Sequence, residues 1–132
     1  MTDQPSNARP LRVMFDSNAH DAILAHGDAG RLRTLIDAGV LAVITTHVQE
    51  DEIRQVADAG RRKALLDILH RLGGATVDPA AVIEGDITYM ARDRQLAGVA
   101  LAACDLFVTD DRALASACAN AIPYAEFRKR LV

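Results

Sequence analysis

The sequence is poor in aromatic residues and contains no tryptophan. It also lacks any apolar run near the roughly 18 residues that a membrane-spanning helix requires, so a transmembrane segment is not expected. Residues 1–10 are polar, carry two prolines and contain no apolar core, which argues against a signal peptide. These absences predict a soluble protein of the cytoplasm with a disordered or extended N-terminal segment over residues 1–10.

Cysteine is scarce as well, and there is no excess of positive charge. Cys104 and Cys118 have neither the CxxC spacing nor the nearby histidine pair of redox and zinc sites, so two buried, reduced thiols are expected. The formal net charge is −3, which gives no general attraction to nucleic acid. Any such binding would depend on local basic clusters.

The sequence shows a regular alternation of apolar runs and helical patterns. Residues 11–132 are long enough to form one domain with its own core. Strands are predicted at 11–15, 40–44, 75–77, 106–109 and, as an edge strand, 122–124. Helices are predicted at 18–26, 31–38, 48–57, 61–72, 92–103 and 112–119, with a loop and one helical turn over 79–90. This alternation predicts an α/β fold with a parallel sheet between two layers of helices.

The first predicted strand ends abruptly in Asp16, which is followed by Ser17, Asn18 and a helical pattern. In α/β proteins ligands and catalytic groups gather at the carboxyl ends of strands. Asp16 is therefore either part of a helix cap or part of a functional site, with Ser17 or Asn18 expected as the cap residue.

A second acid is marked by its position on a helix. With about 100° of rotation per residue, Val48, Ile53 and Val56 define an apolar face of the helix at 48–57, and Glu52 falls within that face. The neighbouring Glu50 and Asp51 fall outside it, toward solvent. A carboxylate on a core-facing stripe is costly unless it is paired, so Glu52 is a candidate site residue.

Two further acids have the same ambiguity as Asp16. Asp93 lies at the edge of the apolar face of the helix at 92–103, where it is either a site residue or an acid that the helix dipole stabilises. Asp111, with Asp110 before it, follows the strand at 106–109 and is either a site residue or a cap. If the first and fourth strands are neighbours, Asp16 and Asp111 meet where the strand order reverses.

Four converging carboxylates would need a cation, because like charges at short distance repel. Ligands that are all oxygen favour Mg²⁺ or Mn²⁺. The chemistry that follows is metal-assisted hydrolysis of a phosphodiester, in which the ion activates water and no serine or histidine nucleophile is required.

The acidic motifs, in this order, resemble those of the PIN-domain nucleases, a family that includes VapC-type toxins and RNA-processing enzymes. The resemblance covers residues 12–126. Its motifs are Phe15-Asp16-Ser17-Asn18, Thr46 six residues before Glu52-Ile53, Asp93 at the start of an alanine-rich helix, and Val108-Thr109-Asp110-Asp111.

The resemblance implies a five-stranded parallel sheet of order 3-2-1-4-5 and a Mg²⁺- or Mn²⁺-dependent ribonuclease that cuts RNA. The implied catalytic and metal-binding residues are Asp16, Glu52, Asp93 and Asp111, with Asp110 as a further candidate ligand. Asn18 and Thr109 would orient the carboxylates through hydrogen bonds, with Ser17 as local support. An antitoxin encoded nearby and a homodimer are the implied protein partners.

Several residues outside this set are open to more than one interpretation. The basic runs Arg61-Arg62-Lys63 and Arg128-Lys129-Arg130 are either solvated faces or RNA contacts. His20 lies one helical turn after Asp16 and is more simply a surface or core histidine than a ligand. Gly98 permits close packing of its helix on the sheet or on another subunit.

Other functions fit the sequence less well. A phosphatase of the haloacid dehalogenase type needs a second aspartate two residues after Asp16, where this chain has Asn18. A phospho-receiver domain needs an aspartate after its middle strand and a lysine after a late strand, and neither is evident. A PIN-like module that binds RNA or protein without catalysis is the main alternative to a nuclease.

Overall fold

A computed structural model of the chain describes residues 9–83 and 91–131, apart from the side chain of Asp93. Its strands are β1 (Leu11–Phe15), β2 (Leu41–Thr45), β3 (Ala75–Thr76), β4 (Leu106–Val108) and β5 (Ala121–Ile122). Its helices are α1 (Ser17–His26), α2 (Ala29–Asp37), α3 (His47–Arg54), α4 (Ala59–Leu72), α5 (Pro79–Val82), α6 (Arg92–Ala103), α7 (Arg112–Ser116) and α8 (Tyr124–Lys129).

The described strands form a five-stranded parallel sheet in the order β3-β2-β1-β4-β5. The central strand β1 pairs with β2 on one side, and on the other side its Phe15 lies opposite Val108 of β4. The chain thus builds outward to β3 and returns to add β4 beside β1. This reversal creates a crevice at the carboxyl ends of β1 and β4. The expected α/β fold and strand order are confirmed.

Side chains alternate along β1, so that this one strand contributes to two cores. Val13 and Phe15 pack in the core that includes residues of α1, α2 and α8. Met14, between them in sequence, packs in the core that includes residues of α3, α6 and α7. Helices therefore cover both faces of the sheet, and the residues that follow β1 are held between two packed layers.

One local prediction was wrong and another was right except in its bounds. The cap of α1 is Asp16 and neither of the two residues after it, because Asp16 Oδ1 accepts a hydrogen bond from the backbone N–H of Ser17. The edge strand predicted over 122–124 is present as β5, but it ends at Ile122, and α8 begins at Tyr124. Pro123 occupies the cap position of α8, and its carbonyl accepts the N–H of Phe127, which starts a helix there.

Two helices end three residues before their predicted ends. α3 stops at Arg54 and α7 at Ser116. In both cases the following N–H groups bond to carbonyls three residues back, Gln55 to Glu52 in the first helix and Ala117 to Leu114 in the second. Such tightened turns are common where an α-helix terminates.

The segment predicted as a loop with one helical turn begins with α5, which Asp78 caps through a hydrogen bond to the N–H of Ala80. Residues 84–90 and most of the predicted N-terminal segment, residues 1–8, lie outside the described residues. After α5 the side chain of Ile83 faces Gly98 of α6, where an added Cβ would lie 2.8 Å from Ile83 Cδ1. The close packing expected at Gly98 is therefore against this segment.

The expectations about membrane-spanning helices and about the two cysteines can be compared with the described part of the chain. No helix there is both long and apolar enough to cross a membrane. Cys104 and Cys118 are free and buried, as predicted. Burial raises the pKa of the Cys104 thiol to about 11, so this sulfur stays protonated at neutral pH.

A buried polar network ties α8 to the start of α2. The Asp28 carboxylate accepts a hydrogen bond from the Tyr124 hydroxyl at 2.6 Å and one from Arg128 Nε at 2.8 Å. Burial raises the pKa of Asp28, but the hydrogen bonds from Arg128 and Tyr124 outweigh it and leave that pKa below its ordinary value. The charged carboxylate therefore stabilises the docked position of α8.

Replacing Asp28 by asparagine is expected to lower the free energy of unfolding at pH 7 by about 2 kcal/mol, because two donors to a charged group are weakened. Since the folded-state pKa of Asp28 is lowered, its stabilising contribution is present above the unfolded-state pKa of about 4 and is lost as the pH falls through the folded value. Urea denaturation of wild type and Asp28→Asn at pH 7 and at acid pH measures this difference.

The exposed Asp67 of α4 provides a matched control. Asp67→Asn changes the charge equally and is expected to leave stability unchanged within about 0.5 kcal/mol. If both variants lose the same stability, or if the deficit of Asp28→Asn is as large at acid pH as at pH 7, the network does not act as described.

Candidate active site

Asp16 occupies the centre of the crevice between β1 and β4. Asp16 is only 6% exposed. The backbone N–H of Ser17 donates to Oδ1 at 2.8 Å, and the hydroxyl of Thr109 donates to Oδ2 at 2.8 Å. Both carboxylate oxygens are thus held in fixed directions by neutral donors, one from the start of α1 and one from the end of β4.

Thr109 connects Asp16 to the second strand-end acid. Phe15 and Val108 are opposite each other in the sheet, so the next residues, Asp16 and Thr109, leave the two strands side by side. The Thr109 hydroxyl, which donates to Asp16, also accepts the backbone N–H of Asp111 at 3.1 Å. Asp111 Oδ1 in turn accepts the N–H of Leu114, so this carboxylate caps α7.

Strands β1 and β4 are neighbours, and Asp16 is linked through the Thr109 hydroxyl to the backbone of Asp111. Both acids also act as helix caps, Asp16 for α1 and Asp111 for α7. A cap uses one carboxylate oxygen and does not exclude a further ligand at the same group. The capping and functional interpretations are therefore compatible at both positions.

Glu52 reaches the same region from α3. Its Oε1 accepts a hydrogen bond from the hydroxyl of Ser17 at 3.2 Å, which joins it to the residue that follows Asp16. Glu50, two residues earlier, instead pairs with Arg54 at 2.8 Å, and this hydrogen bond lowers the pKa of Glu50. Asp51 is exposed. Of the three adjacent acids, Glu52 is the one that contacts the end of β1.

Gln49, which is not among the predicted site residues, fixes the position of α3. Gln49 is completely buried, and its Nε2 donates to the carbonyl of Phe15 at 3.1 Å. Its Oε1 accepts the N–H of Thr46 at 3.0 Å and also the Thr46 hydroxyl, which forms a capping box at the start of α3. One side chain thereby links the peptide that precedes Asp16 to the helix that carries Glu52.

His20 is a core histidine. It is 2% exposed, and its Nδ1 lies 3.1 Å from the backbone carbonyl of Asp16. Burial lowers the pKa of His20 to about 4, so the ring is neutral at pH 7. Because a carbonyl only accepts, Nδ1 must carry the proton. His20 therefore supports the backbone of Asp16 and adds no charge to the crevice.

Asn18 makes a hydrogen bond to the backbone. Its Oδ1 accepts the backbone N–H of Asp110 at 3.2 Å, so it orients the turn after β4, and its role in orienting the carboxylates stays a prediction. The side chain of Asp110 is used in the same turn, since its Oδ1 accepts the N–H of Tyr124 at 3.0 Å. Asn18 and Asp110 together fasten α1, the β4 turn and α8 to one another.

Three of the four predicted carboxylates, those of Asp16, Glu52 and Asp111, belong to the described residues. Asp93 is in the first turn of α6, but its side chain lies outside the described part of the chain. Within that part, no group of three or more His, Cys, Asp and Glu side chains is arranged to hold a metal ion. The four-carboxylate cluster therefore stays a prediction.

The first basic run lies near the crevice. Arg61 forms an ion pair with Asp21 of α1, and it lines an open cleft of about 540 Å³ together with Asn18 and Asp110. Arg62 donates to the carbonyl of Val56 at 2.7 Å. Lys63 is exposed. Of this run, Arg61 is the residue that shares a cleft with residues of the candidate site.

The second basic run is divided by the fold. Arg128 faces inward to Asp28, while Lys129 and Arg130 are exposed. An RNA contact by either run stays a prediction, but the charges of Arg61 and Arg128 are partly neutralised by Asp21 and Asp28. This distinction could not be made from the sequence, where both runs are simply basic.

The described architecture also occurs in another protein. The crystal structure of PAE2754 from Pyrobaculum aerophilum matches it with a TM-score of 0.61 and 20% sequence identity, over 99% of this chain and 97% of that chain. At this identity the likeness shows the fold alone. No protein-family model matches the sequence, and no curated protein does so either.

Proposed function

We propose that the chain is a PIN-like endoribonuclease that hydrolyses RNA phosphodiester bonds with the help of Mg²⁺ or Mn²⁺. One observation carries this proposal. A continuous set of hydrogen bonds joins Asp16, Thr109 and Asp111 at the crevice between β1 and β4, and Ser17 connects Glu52 to the same point. A strand-order reversal is where an α/β fold offers a ligand site, and here the residues are acidic.

The donor chemistry fits a hard divalent cation. The carboxylates of Asp16, Glu52 and Asp111 and the hydroxyl of Ser17 offer oxygen alone, which is what Mg²⁺ and Mn²⁺ prefer. In this proposal Asp93 supplies the further ligand that the described acids lack. Asp110 is a further candidate, with one of its oxygens already engaged by the N–H of Tyr124.

A bound ion would supply activation of water and stabilisation of the charge that develops on the phosphate oxygens. The task of the chain is then to position the acids. Ser17 and Thr109 direct the two oxygens of Asp16, and Gln49 fixes the helix that carries Glu52. Groups that are already oriented need no reorganisation during the reaction.

The resemblance supports a more specific role as well. We propose that the enzyme is the toxin of a toxin–antitoxin pair, acting in the cytoplasm, held inactive by a separately encoded protein and able to form a homodimer. A short reading frame directly upstream that encodes an antitoxin-like protein would support this role. Its absence would argue against the toxin role and leave the ribonuclease proposal untouched.

A catalytically inactive PIN-like module that binds RNA or protein is the second candidate. The observation in its favour is that Asp16 and Asp111 both cap helices, so each acid has a structural use that is independent of catalysis. The two candidates differ in one measurable property, which is cleavage of RNA that depends on a divalent cation.

The test is incubation of the full chain with a mixed RNA pool in Mg²⁺, in Mn²⁺ and in excess chelator, with cleavage followed by gel electrophoresis. Cleavage is expected with either ion and is expected to disappear with chelator. The variant Asp93→Asn is expected to lose at least about a hundredfold of this activity, corresponding to roughly 3 kcal/mol. Equal cleavage with and without chelator, or full activity of Asp93→Asn, would contradict the proposed site.

A further inference from the structure

A second concave surface lies at the far end of α1 from Asp16. This cleft, which we call the α1–α8 cleft, has a volume of about 340 Å³ and is lined by His26, Arg31, Ala125, Arg128 and Lys129. The lining comes from the end of α1, the start of α2 and one side of α8. Apart from Ala125, each of these side chains is basic.

The cleft keeps a surplus of positive charge. Within the described part of the chain, neither Arg31 nor Lys129 forms an ion pair, while Arg128 is paired with Asp28. Three permanent cations thus face one carboxylate, and that carboxylate is buried and already holds Tyr124 and Arg128. In a chain whose net charge is −3, this is a local positive field that attracts anions.

Three side chains of the cleft are held in place before any ligand arrives. Arg31 Nη2 donates to the carbonyl of Leu131 at 2.9 Å, and Arg128 is fixed by Asp28. The ring of His26 stacks on that of Tyr124, with centroids 5.8 Å apart and an interplanar angle of 27°. Guanidinium groups present several donors in a planar arrangement suited to phosphate, and fixed side chains lose little entropy on binding.

The distance from the crevice determines what such a site would hold. Helix α1 extends from its cap Asp16 to His26, a length of about 15 Å at 1.5 Å per residue. A phosphate in the α1–α8 cleft is therefore too far away to be the one that is cleaved. It would belong to another part of the same chain or to a separate anion.

We propose that the α1–α8 cleft binds a backbone phosphate of an RNA chain, at a position remote from the bond that is cleaved. This inference rests on the proposed ribonuclease function for its choice of RNA as the source of the phosphate. The chemistry itself requires only a phosphate group and the cations Arg31 and Lys129. Free inorganic phosphate is the alternative source, and the two can be separated by experiment.

The test measures RNA affinity without cleavage. The full chain in excess chelator is titrated with a fluorescently labelled single-stranded RNA at several salt concentrations. Lys129→Gln is expected to weaken binding about tenfold and to reduce by about one the slope of log affinity against log salt, as for loss of one phosphate contact.

Arg71→Gln is the matched control, because it removes one positive charge from an exposed arginine of α4 that neither lines the cleft nor belongs to a basic run. Its expected loss of affinity is about twofold, with the salt slope unchanged, since only the general field is altered. Equal losses in the two variants, or no loss in Lys129→Gln, would overturn the proposal.

An NMR titration of the His26 ring identifies the source of the phosphate. RNA is expected to shift its signals at concentrations where inorganic phosphate does not. Shifts with inorganic phosphate alone would assign the cleft to a free anion and overturn the choice of RNA. Because chelator is present throughout, a failure of the ribonuclease proposal appears only in the cleavage assay and is distinguishable from a failure of this one.

Discussion

Asp16→Asn is expected to lower the rate of metal-dependent RNA cleavage by at least about a thousandfold, which corresponds to roughly 4 kcal/mol of transition-state stabilisation. Asparagine keeps the size of the side chain and one oxygen, so the hydrogen bond from the Ser17 N–H that caps α1 can be retained. What is removed is the negative charge at the centre of the crevice. The loss should therefore be one of metal binding and catalysis with the fold preserved.

Cleavage rates of wild type and variant in Mn²⁺, combined with thermal unfolding of both, measure the two effects separately. Asp51→Asn is the matched control, since Asp51 is exposed and adjacent to Glu52 in sequence, and its activity should be unchanged. If Asp16→Asn cleaves RNA as fast as wild type, the activity does not come from this crevice. If both variants lose activity together, the effect of net charge and not the site is being measured.

Much of the fold could be predicted because the pattern of apolar runs is simple. The run at 40–44 is short and uninterrupted, which is typical of parallel strands covered on both faces, and β2 (Leu41–Thr45) lies inside the sheet between β3 and β1. The alternation of strands and helices predicts the layers, while the strand order came from the resemblance. The start of α8 was missed because Pro123 closes an apolar pair that looks like a strand, although the following Tyr124 and Phe127 have helical spacing.

The candidate site was predictable only in part. The helical wheel that marks Glu52 also places Gln49 near the middle of the apolar face of α3, which was an available signal. A neutral amide gives no reason to suspect a site, whereas an acid on such a face does. The partner of Asn18 could not be predicted, because its hydrogen bond is to the backbone of Asp110 and sequence patterns do not report backbone direction.

The basic runs illustrate a different limit. Lys129 and Arg128 are adjacent in sequence, yet one lines the α1–α8 cleft as an unpaired cation among the described residues and the other is paired with Asp28. Whether an arginine is neutralised depends on an acid about a hundred residues away in the chain. A run of basic letters therefore indicates the composition of a surface but not the charge that it presents.

Thr109→Val is expected to reduce RNA cleavage by about 10- to 100-fold, the usual range for residues that orient metal ligands. Thr109 is only 1% exposed. Its hydroxyl donates to Asp16 Oδ2 and accepts the N–H of Asp111. Valine has nearly the same shape, so packing in the crevice is retained while both hydrogen bonds are lost. The free energy of unfolding should also fall, by about 1–3 kcal/mol, because the partly buried N–H of Asp111 loses its acceptor.

A purely structural role for Thr109 would lower stability but would not alter the response to metal ions. The decisive measurement is therefore the Mn²⁺ concentration that gives half-maximal cleavage, taken well below the melting temperature of every variant. This concentration should rise in Thr109→Val and return close to the wild-type value in Thr109→Ser, which restores the hydroxyl. An unchanged Mn²⁺ requirement in Thr109→Val would mean that the Thr109–Asp16 bond holds the fold together without orienting a metal ligand. In that case the hydrogen bonds around Asp16 would be explained by helix capping alone.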